Sequence, residues 1–337
     1  MNALLQRVVD GAALDAEESA RAFDAIMSGQ VAQADLAAFL GAQAARGPTV
    51  AEIVGAARAM RSHMKTIAAP DGAIDLCGTG GDGHDTLNVS TAVSLVVAGA
   101  GVPVAKHGNR SATSRSGAAD VLMALGVRIE LAPHEAEACL REAGLCFLFA
   151  QAYHPAMRHV AEVRKQLKTR TIFNLLGPIC NPAGVRRQLL GVYARQWLRP
   201  VADVLAALGT EKAWVVHGSD GLDELTTTGE THVEVLEDGR ITALIATPAD
   251  AGIPGATLAQ LKGADARHNA DAILRLLAGE AGPFRDIVLM NAAAALIVAG
   301  KARDLRAGAA MAAESVDKGH ARTALDKLVK TSNKVAA

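Results

Sequence analysis

Residues 75–91 read DLCGTGGDGHDTLNVST, and the fold turns on how this stretch is understood. GTGGDG satisfies G-x-G-x-x-G, the pattern of a dinucleotide-binding turn. That fold also needs an Asp or Glu about 20 residues further on to hold a ribose hydroxyl. The corresponding region is AGAGVPVAKH, which contains no acid. The helix should open inside the glycines, yet HDTLN intervenes before Ser90 and Thr91, the expected N-caps of the apolar run TAVSLVVAGAG. A P-loop of the G-x-x-x-x-G-K-[ST] kind fails as well, because Gly83 is followed by His84 and Asp85. The physics common to both motifs survives. Four glycines in six residues permit positive φ and let backbone N–H groups approach a bulky anion, so the stretch predicts a turn that holds something phosphorylated.

On the N-terminal side, residues 1–66 carry apolar residues at three- and four-residue spacing with Gly at the breaks, which predicts a small helical subdomain with Asp15 and Thr49 as N-caps. On the other side, short apolar segments alternate with helical patterns: AIDLC, helix 90–100, VPVAKH, helix 117–125, VRIEL, helix 133–143, LCFLFA. RQLLGVY, a helix near 197–208, KAWVVHG and THVEVLEDGRITALIAT follow, with closing helices from about 268. Alternation of this kind predicts an α/β fold with a mostly parallel central sheet, beside the small all-helical domain. Asp238-Gly239 between alternating apolar runs predicts a β-hairpin.

Composition narrows the function classes. The 337 residues are 50% hydrophobic but only 3% aromatic, so the core is built from Ala, Val and Leu. A formal net charge of -1 provides no global basic field for nucleic acid and points to small-molecule partners. The four cysteines form no C-x-x-C pair, which fits reduced thiols in a cytosolic enzyme and disfavours structural zinc. The N-terminus lacks a secretion signal and the apolar runs are too short to span a bilayer, so a cytoplasmic location without membrane contact is expected.

Three further polar clusters interrupt the apolar chain. KHGNRSATSRSG, 106–117, follows the strand VPVA and is rich in donors at a strand's carboxyl end, where open α/β sheets bind ligands. The segment 154–184, with the two arginines just after it, offers Arg158, Arg164, Arg170, Arg186 and Arg187 for a carboxylate or phosphate, and residue type does not choose among them. HGSDGLDELTTTG, 217–229, places Asp220, Asp223 and Glu224 close together after the run AWVV. Adjacent carboxylates repel and call for a cation; Mg²⁺ beside a phosphorylated substrate is the usual one.

GTGGDG, NVST, KHGNR, GAADVLMALGV, HPAMRHVAEVRKQL, RTIFNLLGPICNPA, HGSDGLDE and NAAAALIVAGKA together closely resemble the anthranilate phosphoribosyltransferase family over nearly the whole chain. Three positions depart from it: Leu87 stands where the family commonly has Phe, Ala118 where Ser is frequent and Lys168 where Gly is typical. The resemblance implies a nucleoside phosphorylase-type α/β domain, 67–164 and 185–337, and a helical domain, 1–66 joined by part of 165–184, that mediates a homodimer. It implies transfer of the phosphoribosyl group of phosphoribosyl pyrophosphate (PRPP) to the amine of anthranilate.

By that resemblance the backbone of Gly78, Thr79, Gly80, Gly81, Asp82 and Gly83, with Lys106, holds the pyrophosphate. Thr86, Asn88, Val89, Ser90 and Thr91 bind the rest of PRPP, as do His107, Gly108, Asn109 and Arg110. Ser111, Ala112, Thr113 and Ser114 complete that loop, and Ala118 follows it. Ser90, Asp223 and Glu224 would bind two Mg²⁺ ions, with the two acids counted as catalytic. Arg164, Asn109, His107, His154 and Gly78 would orient anthranilate, and His107 could take up the amine proton.

Two competing enzyme classes and one binding class are weighed against this. A pyrimidine nucleoside phosphorylase would carry a base-recognition pattern in place of HVAEVRKQL, and a dinucleotide oxidoreductase would carry the ribose acid. A non-catalytic nucleic-acid-binding paralogue would lose the glycine loop or the acid pair and gain basic charge.

Overall fold

The computed structural model describes residues 2–110 and 116–334. It opens with four helices, α1 (Asn2–Val9), α2 (Ala16–Met27), α3 (Gln33–Arg46) and α4 (Val50–Ser62). Asp15 and Thr49 cap α2 and α4 as the sequence predicts, each in a reciprocal box with the Glu three residues on. Helices α2 and α4 meet backbone to backbone at Gly55, where a Cβ would lie 2.2 Å from the Ala16 carbonyl oxygen.

The α/β part runs β1 (Ile74–Leu76), α5 (Val89–Gly99), β2 (Val104–Gly108), α6 (Ala118–Ala124), α7 (Pro133–Ala143) and β3 (Leu145–Phe149). Three helices follow, α8 (Ala150–Tyr153), α9 (Arg158–Leu167) and α10 (Phe173–Ile179), then β4 (Arg187–Gly191), α11 (Leu198–Ala207) and β5 (Lys212–Gly218). The hairpin β6 (Thr231–Glu237) and β7 (Arg240–Ala246) turns at Asp238-Gly239, both with positive φ. Helices α12 (Ala266–Leu277), α13 (Pro283–Val298), α14 (Leu305–Asp317) and α15 (His320–Ser332) close the chain.

The strands form one sheet in the order β3-β2-β1-β4-β5-β6-β7, parallel through β5 and antiparallel thereafter. From β1 the chain moves outward to β2 and β3, then returns to β4 on the other side of β1. The carboxyl ends of β1 and β4 therefore diverge into a crevice at the switch point, the place where open α/β sheets bind ligands.

Side chains alternate between two cores along β4 and β5, with Leu189 in one and Leu190 in the other. On β5, Trp214 and Val216 join the core shared with α5 and α13, whereas Ala213 and Val215 enter a second core. That second core unites α1–α4 with α9, α10 and α11 against the sheet, including Val160, Val163, Leu176 and Val204.

Two local expectations fail for identifiable reasons. The alternation of VRIEL predicts a strand, but residues 127–131 join no sheet. Val127, Ile129 and Leu131 are buried as the pattern requires, while the Arg128 backbone N–H donates to Ser332 Oγ (3.2 Å) and its Nε to the Ser332 carbonyl (2.6 Å). The segment pairs with the end of α15 instead of a strand. Helix α5 also starts earlier than its expected caps, with Asn88 at the N-cap position, because the Ser90 hydroxyl is bonded elsewhere and Thr91 is only 1% exposed. Among the described residues no helix is long and apolar enough to cross a membrane.

Candidate active site

The loop after β1 is shaped by its glycines. Gly80, Gly81 and Gly83 all have positive φ, and Gly78 is required for a different reason. A Cβ on Gly78 would lie 2.5 Å from Asp223 Oδ2, and one on Gly191, at the end of β4, would lie 1.6 Å from the Asp223 carbonyl oxygen. Asp223 thus sits in the crevice between β1 and β4, admitted only because both strand ends lack side chains. The Gly80 N–H donates to Asp223 Oδ2 at 2.7 Å. Burial raises the Asp223 carboxyl, as does the neighbouring Asp82. Burial likewise raises Glu224, with Asp223 adding to the effect, while Lys106 and the Ser90 backbone N–H act in the opposite direction.

Three crowded carboxyl groups, half-buried and mutually repelling, are an arrangement that a hard divalent cation stabilises. The oxygen donors fit Mg²⁺. Asp220, the third acid of the sequence cluster, is not one of them: its Oδ2 accepts from the hydroxyls of Thr226 and Thr228, both at 2.6 Å, and it braces the loop.

Lys106 enters from β2. Its Nζ donates to the Leu76 carbonyl (2.6 Å) and to Ser90 Oγ (3.1 Å), joining β2, β1 and α5 at one point. Thr79 docks the glycine loop, since its N–H donates to the Gly191 carbonyl and its Oγ1 accepts from the Tyr193 N–H, each at 2.9 Å. Asn88 accepts from Asn269 Nδ2 at 2.8 Å, and Thr86 bridges to Lys262, so the start of α5 is tied to the segment before α12.

A separate polar cluster lies at the end of β2. His107 Nδ1 lies 3.0 Å from the Gly177 carbonyl of α10, an acceptor, so that nitrogen carries the proton. Its Nε2 is 3.2 Å from His154 Nε2. Burial lowers His107 to about 3, with the neighbouring His154 adding to the effect, and lowers His154 to about 4. The geometry weighs against His107 as the base that takes the amine proton, because its Nε2 is packed against His154 and a proton there is strongly disfavoured. Asp75, Cys77 and His107 place ligand-type atoms within 4.8 Å of one another, but both His107 nitrogens are engaged, so this is a packed polar knot and not an open metal site.

Arg164, on α9, lies 5.4 Å from the Phe173 ring centroid, and no carboxylate pairs with it among the described residues. Burial lowers its pKa, which marks a desolvated cation without an anion. Three of the other arginines are engaged within the protein, Arg186 and Arg187 with Glu211 and Arg158 with His159, and Arg170 reaches the Gly81 carbonyl.

Comparison with known proteins follows the same division of the chain. The helical bundle domain of the glycosyl transferase family matches residues 2–64, and its a/b domain matches residues 71–322. The anthranilate phosphoribosyltransferase of Methylocella silvestris is 56% identical over 336 residues, covering 100% of this chain and 96% of that protein. The enzyme of the same name from Beijerinckia indica is 57% identical, covering 98% and 96%. The chain belongs to the anthranilate phosphoribosyltransferase family. Among solved structures of this family, that of Thermus thermophilus superposes with a TM-score of 0.93 at 42% identity, covering 98% of this chain and 99% of that one. The Saccharomyces cerevisiae enzyme in complex with PRPP and Mg superposes with a TM-score of 0.91 at 26% identity, covering 99% and 98%.

Of the remaining residues that the family pattern singles out, Val89 and Thr91 turn their side chains into the core, leaving no more than their backbone to the crevice. Gly108 is held close by the Phe147 ring, 2.8 Å from where its Cβ would be, and Ala118 packs beneath it. Asn109 and Arg110 are exposed at the end of β2; Ser111, Ala112, Thr113 and Ser114 lie outside the described residues. Lys168 ends α9 in the left-handed conformation (φ 48°), which explains why a glycine suits that position.

Two residues receive no role of their own in the sequence reading. Gly191 gives no signal apart from ending a strand. Asn291 is the one polar side chain in the apolar stretch of α13, and that could have flagged it. Its Oδ1 accepts from the Leu225 N–H (2.9 Å) and its Nδ2 donates to the Leu225 carbonyl (2.8 Å), pinning the backbone directly after the acid pair.

Proposed function

We propose that this chain transfers the 5-phosphoribosyl group of PRPP to the amine of anthranilate, forming the N-glycosidic bond as the bond to pyrophosphate breaks. The observation that carries this reading is the Asp82–Asp223–Glu224 cluster pressed against a glycine-rich loop at the sheet's switch point. An aromatic amine is neutral at pH 7 and already nucleophilic, so the demand on the protein falls on the leaving group and the oxocarbenium-like sugar. The loop 78–83 offers backbone N–H groups to the pyrophosphate, and Lys106 adds a fixed positive charge beside Ser90. Asp223 and Glu224, with Ser90, would hold Mg²⁺, two ions per subunit. When bound, the metal neutralises charge developing on the departing pyrophosphate. Arg164 is available for the anthranilate carboxylate because no protein anion satisfies it among the described residues. Asn109, His154 and His107 shape the rest of that half of the site, the histidines as neutral walls.

The working unit is a cytoplasmic homodimer formed through a helical domain of residues 1–66 with part of 165–184. The α/β domain comprises 67–164 and 185–337. Support comes from the family resemblance and from the shared core that draws α9 and α10 toward the helices.

The test follows anthranilate consumption with and without PRPP, for the wild type and Arg164→Ala. Loss of a charge-assisted bond raises the anthranilate KM by about ten- to a hundredfold and leaves that for PRPP nearly unchanged. No PRPP-dependent consumption by the wild type would overturn the function, and equal effects on both KM values would overturn the role of Arg164.

A further inference from the structure

Arg170 stands between α9 and α10, an exposed residue with no acid partner among the described residues, yet its position is closely specified. Its Nη2 donates to the Gly81 carbonyl at 2.5 Å, and its guanidinium lies over the Tyr193 ring, 4.0 Å from the centroid. Tyr193 in turn donates its backbone N–H to Thr79 Oγ1. One side chain thus reaches the glycine loop twice, directly at Gly81 and through Tyr193 at Thr79.

The peptide unit makes this contact directional. The carbonyl of residue 81 and the N–H of residue 82 belong to one planar trans amide and point in opposite directions, so fixing the first fixes the second. With Gly81 at φ 75°, that amide is otherwise one of the freest in the loop. It also leads into Asp82, whose carboxyl group lies against Asp223. At its other end, Arg170 belongs to the short connection between the helix that carries Arg164 and the helix that carries Phe173 and Gly177.

We propose that Arg170 is a positioning residue that couples the two substrate halves of the site. It holds the 81–82 amide and Asp82 in register with the acid pair, and it links that arrangement to the connection whose flanking helices bear the anthranilate-side groups. Ordering of either half then favours ordering of the other, and the coupling is reciprocal. This rests on the phosphoribosyl-transfer reading above. A lysine keeps the charge but loses the planar fork that can stack and donate at once.

The experiment is steady-state kinetics with both substrates varied, for the wild type, Arg170→Ala and Arg170→Lys, alongside thermal melts. In the wild type, saturating anthranilate lowers the apparent KM for PRPP by about fivefold or more, the lower end of ordinary coupling. Arg170→Ala removes most of that factor and raises the PRPP KM at low anthranilate, while the melt stays near wild type. Arg170→Lys recovers part of the factor. An active wild type with an Arg170→Ala variant equal to it in KM values and coupling overturns the proposal and leaves the function standing. An alanine variant whose two KM values rise together with an earlier melt assigns a structural role and also overturns it. A wild type that does not consume anthranilate with PRPP overturns the functional reading and the coupling with it.

Discussion

The acid cluster at the β1–β4 crevice and the histidine pair at the end of β2 are both desolvated, and burial pushes both toward neutrality, the acids upward and the histidines downward. They differ in what completes them. His154 Nε2 lies against His107 Nε2, and His107 Nδ1 donates to the Gly177 carbonyl, so two neutral rings face groups of the protein itself. Asp82, Asp223 and Glu224 crowd together, Lys106 is the cation beside them among the described residues, and their ionised form is disfavoured until a further cation arrives. A closed buried cluster serves as architecture; an open one asks for a ligand.

Removing the open cluster's charge is the harshest way to break this contrast. Asp223→Asn with Glu224→Gln keeps the shape and lowers kcat by about 10²–10³-fold, the scale of losing preorganised charge stabilisation. In metal-free buffer the same double variant melts no earlier than the wild type, since mutual repulsion is relieved. Activity measured over a Mg²⁺ titration, beside the melt, checks both halves. Normal turnover with an unchanged Mg²⁺ optimum would remove the reason for calling the cluster open.

A milder intervention acts on the support beneath it. Asn291→Leu leaves the buried Leu225 N–H and carbonyl without their side-chain partner and costs about 2–4 kcal/mol of stability. The acid loop loosens as well, so the Mg²⁺ concentration needed for half-maximal activity rises. Urea denaturation and the Mg²⁺ titration together test this; an unshifted denaturation midpoint would show that α13 does not hold the loop.

The smallest expected effect concerns the closed cluster and appears in the pH dependence. His107 and His154 titrate near 3 and 4 in the folded chain and near 6.5 when unfolded, so between those values the unfolded chain binds more protons and stability falls as pH is lowered. Asp75, raised by burial from 3.8 to about 6, acts with the opposite sign over its own window: the folded chain binds the extra proton, and lowering pH there adds stability. His154→Gln keeps a polar group against His107 and removes one histidine titration, so the acid limb between pH 4 and 6.5 flattens by up to about 1.4 kcal/mol per pH unit. Denaturation curves at three pH values within that window decide it. An unchanged slope would mean that the pair is not buried neutral.

The sequence carried the site's chemistry better than its geometry. GTGGDG and DE are dense local signals whose residue types leave few physical uses, and the sheet followed from alternating apolar segments. VRIEL shows the limit: its alternation is real burial, but a period of two cannot say whether the partner is a strand or the end of a helix 204 positions away. Gly191, Arg170 and Asn291 act across the fold on residues distant in the chain, so their roles depend on contacts that no local spacing encodes. The five arginines looked equivalent in sequence, and what separates Arg164 and Arg170 from Arg186 and Arg187 is the presence of Glu211 beside the latter two.

The second core also bears on how the protein is made. The apolar faces of α2, α3 and α4 close on α9, α10 and α11, and Arg61 donates to the Ile179 carbonyl at 2.6 Å, 118 positions later. During synthesis, residues 2–62 leave the ribosome with surfaces that stay uncovered until the segments around Val163, Leu176 and Val204 have followed. The first-made part of the chain finishes folding only after the middle has been made, and a fragment ending near residue 64 would emerge with its inner faces bare.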